Sequence, residues 1–150
     1  MSYGQTLNKV EAYFDRTATK AWETLTSDAP VSKIRQTVRS GREEMRKVIL
    51  SRLPANLNDY KILDAGCGTG LLTADLLDRG ASVLAVDISP SLVEIAKSRL
   101  KSHAGKRVVF EVGDMLERSL GTFGYIISMD SLIYYSSSDI LKAILQLAGR

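Results

Sequence analysis

The chain has 150 residues, 45% of them hydrophobic, with a single cysteine and a formal net charge of +3. That composition supports one core in one domain and excludes an internal disulfide framework. No apolar run approaches the roughly 20 residues of a membrane-spanning helix, residues 1 to 10 lack the apolar stretch of a signal peptide, and the charge is too small to argue for nucleic acid, so the chain reads as a cytoplasmic globular protein.

From Asn8 to about Leu25 the apolar residues Val10, Tyr13, Phe14, Ala18, Ala21, Trp22 and Leu25 recur at spacings of three and four. This predicts one or two amphipathic helices. Packing against the rest of the domain explains such a stripe. A sharper reading makes Tyr13, Phe14 and Trp22 a lid over a flat apolar substrate, because aromatic faces pack well on planar rings.

After Pro30 a second helix is expected over residues 32 to 52, with Ile34, Val38, Met45, Val48, Ile49 and Leu53 on its buried side. Its polar side carries seven cations against Glu43 and Glu44, a local charge of +5, and Arg35, Arg39, Arg42 and Arg46 share one face. The row is either a solvated surface or a docking face for an anion: a carboxylate ligand, an acidic protein or lipid headgroups. Pro54 and two asparagines then mark a soft boundary, leaving residues 1–56 as a helical lid and 57–150 as an alternating strand and helix region.

That region opens on Lys-Ile-Leu-Asp-Ala-Gly-Cys-Gly-Thr-Gly, residues 61 to 70. An apolar strand ends at Asp64 and breaks into Gly66, Gly68 and Gly70, which permits a sharp turn and close approach of backbone to ligand. The dinucleotide fingerprint needs a glycine where this chain has Leu71, which disfavours a nicotinamide dehydrogenase. The spacing instead resembles the first motif of class I S-adenosylmethionine-dependent methyltransferases. There Gly66, Cys67, Gly68 and Gly70 would lie along the methionine part of the cofactor and Asp64 near its ammonium group.

A helix from Leu71 to Arg79 is expected to close at Gly80, followed by a strand from Ser82 to Val86 and then Asp87. Asp87 lies 17 residues past Gly70, where an acid takes ribose hydroxyls, and Ile88 would lie on an adenine face. Ser89-Pro90 already supplies a cap for the next helix, which frees Asp87. A third strand, Arg107 to Val112, leads to Asp114 and Met115, placed to read the adenine edge. A fourth, Tyr125 to Met129, ends in Asp130-Ser131-Leu132-Ile133-Tyr134-Tyr135 at the ligand-binding edge, and a helix follows from Ser138 to Ala148. The fold class is α/β: a Rossmann-like methyltransferase sheet of about four parallel strands behind a helical lid. Four strands are about half of a doubly wound sheet, so the chain is expected to be the N-terminal part of a longer protein, poorly soluble and without activity by itself.

Several blocks together carry a narrower resemblance: Met1-Ser2-Tyr3, Tyr13 to Ala18, Trp22, Leu25 to Arg35, Thr37-Val38-Arg39, Gly41-Arg42, Asp64 to Gly70, Val86 to Pro90, Gly113-Asp114-Met115 and Met129 to Ile133. They resemble the magnesium-protoporphyrin IX O-methyltransferases of bacteriochlorophyll synthesis over essentially the whole chain. The resemblance implies methyl transfer from S-adenosylmethionine to a propionate of magnesium-protoporphyrin IX, giving the monomethyl ester. A propionate is ionised at neutral pH, so catalysis would rest on positioning and desolvation. Tyr13 and Tyr134 would orient the carboxylate; Phe14, Trp22, Arg35 and Arg39 would bind substrate; Met129 would join the cofactor site. No protein-bound metal is implied, since the magnesium belongs to the substrate. The magnesium chelatase large subunit is the implied partner, and helix 32–52 a route to peripheral contact with photosynthetic membranes. His103 reads as solvated and Cys67 as an unreactive loop residue. Alternatives are a methyltransferase for another small acid or phenol, or a fragment that only binds.

Overall fold

The computed structural model describes residues 1–103 and 107–150. Four short apolar runs form parallel strands β1 (Lys61–Ala65), β2 (Ser82–Asp87), β3 (Val108–Val112) and β4 (Tyr125–Ile127), in the order β3-β2-β1-β4. The central pair β1 and β2 is covered on both faces, which is why these strands read as unbroken rather than alternating apolar runs. On one face Leu57, Ile62, Leu72, Leu76, Leu77 and Val83 form a dry cluster beneath α4 (Leu71–Asp78). On the other, Leu63, Ala65, Leu84, Val86 and Met115 pack with Leu147 of α6 (Ser137–Ala148).

The chain runs from β1 outward through β2 to β3, then returns to place β4 on the opposite side of β1. That reversal opens a crevice at the carboxyl ends of the strands, the usual ligand position in such sheets. Among the described residues β4 pairs only with β1, and its far side borders an open groove with Ile144 and Leu147 of α6. The strand stops at Ile127, two residues before the expected end. Ser128 and Met129 lead into Asp130, which turns the chain at φ +60.

The N-terminal segment begins earlier than its apolar stripe indicates. Ser2 and Gln5 form a reciprocal capping box, so α1 runs Tyr3–Ala12. A π-helical turn, Tyr13–Ala18, follows, and then α2 (Thr19–Leu25). The Thr19 hydroxyl bonds back to the carbonyls of Phe14 and Asp15 inside this wider turn. Phe14 and Ala18 consequently face inward against Leu92 of α5 (Pro90–Arg99), while Tyr13 turns out.

The largest departure concerns α3 (Lys33–Ser51), capped by Ser32. The side expected to be buried is open: Ile34 is 79% exposed, and Val38, Met45 and Val48 are also exposed. Only its last turns, through Ile49, Leu50 and the following Leu53, touch the sheet core. Arg39, Arg42 and Arg46 of the arginine row face the rest of the molecule instead, while Arg35 stays exposed. The end of α2 and the loop after it present carbonyls with acceptor capacity left over, and a helix end must find donors for these. Arg39 supplies them, donating to Leu25, Thr24 and Ala29 at 2.9 Å each. Arg46 pairs with Asp75 of α4 at 2.8 Å.

Candidate functional site

The glycine turn is pinned before any ligand arrives. Gly66 and Cys67 both donate backbone N–H to the Val86 carbonyl, at 2.8 and 2.9 Å, and Gly68 donates to Asp87 Oδ2 at 2.8 Å. All three motif glycines have positive φ, but their tasks differ. A side chain on Gly66 would strike Ser131, and one on Gly68 would point at Trp22 Nε1. Gly70 does not line the cavity. It heads α4, where an added Cβ would meet Ala96 and Leu100 at 3.1 Å, so its task is close packing of α4 on α5 rather than contact with a ligand.

Above this turn lies a cavity that is partly open to solvent. Asp64 lines its floor, almost wholly buried and accepting from the Thr73 hydroxyl at 2.6 Å. Burial without a cationic partner pushes its carboxyl up to about 6, with the Thr73 bond opposing. Asp87 accepts from Gly68 N–H and, at 2.9 Å, from Ser89 N–H, yet burial still raises its pKa. Ile88, Met115 and Met129 supply apolar walls, and Cys67 lines the turn with its thiol pushed up by burial. Asp114 Oδ1 accepts from the Tyr3 hydroxyl at 2.8 Å and from Leu116 N–H. Tyr3 also stacks on Tyr135, so α1 is tied across this end of the cavity.

The opposite wall comes from the helical cap. Phe14 sits edge-on to both Trp22 and Tyr134, with ring centroids 5.6 and 5.4 Å apart. Tyr13 stands outside the cavity, 52% exposed, edge-on to Phe14. The Tyr134 hydroxyl is held above its ordinary range, first by burial and then by neighbouring Tyr13 and the Asp130 carboxylate, so it remains a proton donor at neutral pH. Arg35 is exposed and does not line the cavity, and Arg39 is committed to carbonyls. Arg42, three residues further on, is the arginine that reaches it: it pairs with Asp130, and its Cζ lies 4.4 Å from the Trp22 ring centroid. In the sequence it is marked by the face it shares with Arg35 and Arg39 and by its place in the Gly41-Arg42 block of the resemblance.

Two further contacts hold the cap to the turn. The Thr69 hydroxyl donates to that of Thr26 at 2.8 Å, and Arg99 donates to the Thr26 hydroxyl and to the carbonyls of Thr26 and Glu23. His103 lies away from the cavity, 3.1 Å from Asp78. Among the described residues no cluster of histidine, cysteine or acid side chains is placed to hold a metal.

Buried acids on one wall, a glycine turn beneath and an aromatic wall opposite, all at the switch point of a parallel sheet, define a methyltransferase domain. Residues 62–150 match the methyltransferase domain family, and the chain belongs to it. Its likeness to particular members runs further: it is 55% identical over 99% of its length to the magnesium-protoporphyrin O-methyltransferase of Rhodobacter capsulatus. It is 30% identical over 93% of its length to the chloroplastic magnesium protoporphyrin IX methyltransferase of Arabidopsis thaliana. The chain spans 66% of the first relative and 46% of the second. The crystal structure of magnesium protoporphyrin IX methyltransferase from Synechocystis PCC 6803 with bound S-adenosylmethionine superposes with a TM-score of 0.88 at 26% identity, covering 96% of this chain and 71% of that one.

Proposed function

We propose that this chain binds S-adenosylmethionine and serves an enzyme that methylates a propionate carboxylate of magnesium-protoporphyrin IX. The observation that carries this reading is the extent of the likeness: it runs through the helical cap of residues 1–56, outside the stretch matched by the general methyltransferase family. Cofactor elements are shared by methyltransferases of many specificities, whereas the cap supplies the wall facing the substrate.

The cavity suits the cofactor. Asp64 is a buried carboxylate and Asp87 a partly buried one, neither with a cationic protein partner among the described residues, and a ligand ammonium beside Asp64 would compensate its charge. Asp87 would take the ribose hydroxyls, Ile88 and Met115 would flank the adenine, and Asp114 would accept from its amine once shared with Tyr3. Gly66, Cys67, Gly68 and Met129 would border the methionine part. When bound, S-adenosylmethionine supplies an electrophilic methyl on a sulfonium.

The substrate propionate needs no base, being ionised already at pH 7. Tyr134, protonated and inside the cavity, orients it by donating a hydrogen bond, and Tyr13, a neighbour of Tyr134 outside the cavity, would join it only at the cavity mouth. Phe14 and Trp22 exclude water and offer ring faces to the macrocycle. The outward apolar stripe of α3, flanked by Lys33 and Lys47, supports a peripheral contact with a membrane or with the magnesium chelatase large subunit. No helix among the described residues is long and apolar enough to cross a membrane.

The test is ester formation by the full-length chain, followed by chromatography, with magnesium-protoporphyrin IX offered beside phenolic acceptors. Esterification of the porphyrin alone is expected. Methylation of a phenol with the porphyrin untouched would overturn the substrate assignment and leave the cofactor assignment standing.

A further inference from the structure

The proposed reaction brings a carboxylate into a cavity already walled by carboxylates. Asp64, Asp87, Asp114 and Asp130 all line it, and among the described lining residues Arg42 is the single cation. Among the described lining residues an incoming anion therefore has Arg42 as its one cationic partner.

The placement of Arg42 fits a receptor better than a structural strut. Its neighbours in the arginine row point at protein groups away from the cavity lining, Arg39 at three carbonyls and Arg46 at the Asp75 carboxylate. Arg42 gives Nη1 to Asp130, and its remaining donors have no protein acceptor among the described residues. A guanidinium carries five donors in a planar fork suited to carboxylates. Here the plane is steadied from two sides, by the Trp22 ring and by Asp130. Trp22 in turn lies over Gly68 of the cofactor turn, and Asp130 is four residues before Tyr134 in the segment after β4.

We propose that Arg42 receives the substrate carboxylate, its fork seated over Trp22 and tethered by Asp130, and that it thereby distinguishes acid from ester. The inference rests on the reading of a propionate substrate given above. Before transfer the carboxylate offers Arg42 a full negative charge and two acceptor oxygens. After transfer the ester is neutral, so the contact weakens as the product forms and favours its release. Asp130 shares the guanidinium with the incoming acid and limits how tightly that acid is held.

Titration of the full-length chain with magnesium-protoporphyrin IX and with its dimethyl ester, followed by the shift of the porphyrin absorption band with S-adenosylhomocysteine present, tests this without turnover. Arg42→Gln should weaken binding of the diacid roughly ten- to hundredfold, leave the diester unchanged, and be partly rescued by Arg42→Lys. Asp130→Asn, a residue that tolerates the positive φ, should tighten the diacid, because it removes the competing negative charge. Equal losses for diacid and diester, or weakening by Asp130→Asn to match Arg42→Gln, would show that the pair only braces the cap and would overturn the proposal. Binding of neither porphyrin by the parent chain, with S-adenosylhomocysteine still bound, would remove the porphyrin reading and this inference together. A diester that binds in parallel with an unbound diacid would remove the inference alone.

Discussion

The sheet region and the helical cap are built from different forces. In the sheet, Leu57, Ile62, Leu63 and Leu76 are fully buried, and the polar residues taken inside, such as Asp64 and Thr73, bond one another. In the cap, α1 and α3 have no buried residue. Beyond the small apolar contacts of Phe14 and Ala18 with Leu92 and of Ile49, Leu50 and Leu53 with the sheet core, the cap is held by long polar side chains reaching distant backbone: Arg39 to the α2–α3 loop, Arg99 to Thr26 and Glu23, Arg79 to the carbonyl of Leu50. Apolar burial gives the sheet its stability, whereas directional bonds fix the position of the cap at modest net gain apiece. Damage to the first should unfold the protein. Damage to the second should loosen the substrate wall and leave the fold standing.

The sharpest division comes from core truncation. Leu76→Ala removes a fully buried side chain between α4 and the sheet and should cost about 2–5 kcal/mol in urea unfolding. An effect below about 1 kcal/mol would mean the cluster is not the stabilising core. Next comes a loss confined to ligand binding. Asp87→Ala should weaken S-adenosylmethionine by about 1.5–3 kcal/mol in calorimetry. Part of that loss would arise because Gly68 N–H loses its acceptor and the turn slackens. Unchanged affinity would remove Asp87 from the site.

Smaller effects probe protonation. Cofactor affinity should rise with pH through about 6, as Asp64 ionises to meet an ammonium group, and Asp64→Asn should flatten that rise. A slope that persists in the variant would assign it elsewhere. Tyr134→Phe should lower turnover by well under the roughly hundredfold that marks lost acid–base catalysis, because the nucleophile is already an anion. Complete loss with both ligands still bound would give Tyr134 a chemical rather than an orienting part.

The same division decided what the sequence made legible. The strands, the glycine turn and the acids at the strand ends were readable because local pattern and burial agree there. The structure brings Asp64, Asp87, Asp114, Met115 and Met129 to one cavity. In the cap, periodicity reported two faces of α3 and not which one turns inward, since that depends on carbonyls offered by residues 24 to 29. Arg42 could not be told from Arg35 or Arg39 for the same reason. The π-helical turn depends on Thr19 bonding back and on Asp15 reaching residues far along the chain. Gly70 bore the same motif signature as Gly66 and Gly68, and only the packing of α4 against α5 separates its task from theirs.

The finest test sets the two regions against each other by pH. Asp15 Oδ1 accepts from Ser91 N–H at 2.9 Å and from the Ser89 hydroxyl, so a carboxylate of the cap sits at the N-terminus of α5, where negative charge is favoured. The Ser91 bonds are the main cause holding its pKa below the ordinary value. A depressed carboxyl stabilises the folded state above its unfolded pKa, about 3.9, and that contribution fades as pH falls through the lower folded value. Asp64 has the opposite sign: its raised pKa contributes stability fully present below about 4 and lost as pH rises through about 6. Acid should therefore loosen the cap while relieving strain in the sheet. In hydrogen exchange, amides of Tyr13–Ala18 and Thr19–Leu25 should lose protection on acidification while those of β1 hold or gain. Asp15→Asn keeps an acceptor for Ser91 but has no charge to lose, so its cap should be slightly less protected at neutral pH and no longer respond to acid. If cap and sheet lose protection together, and equally in the variant, Asp15 is a bystander and the two regions open as one unit.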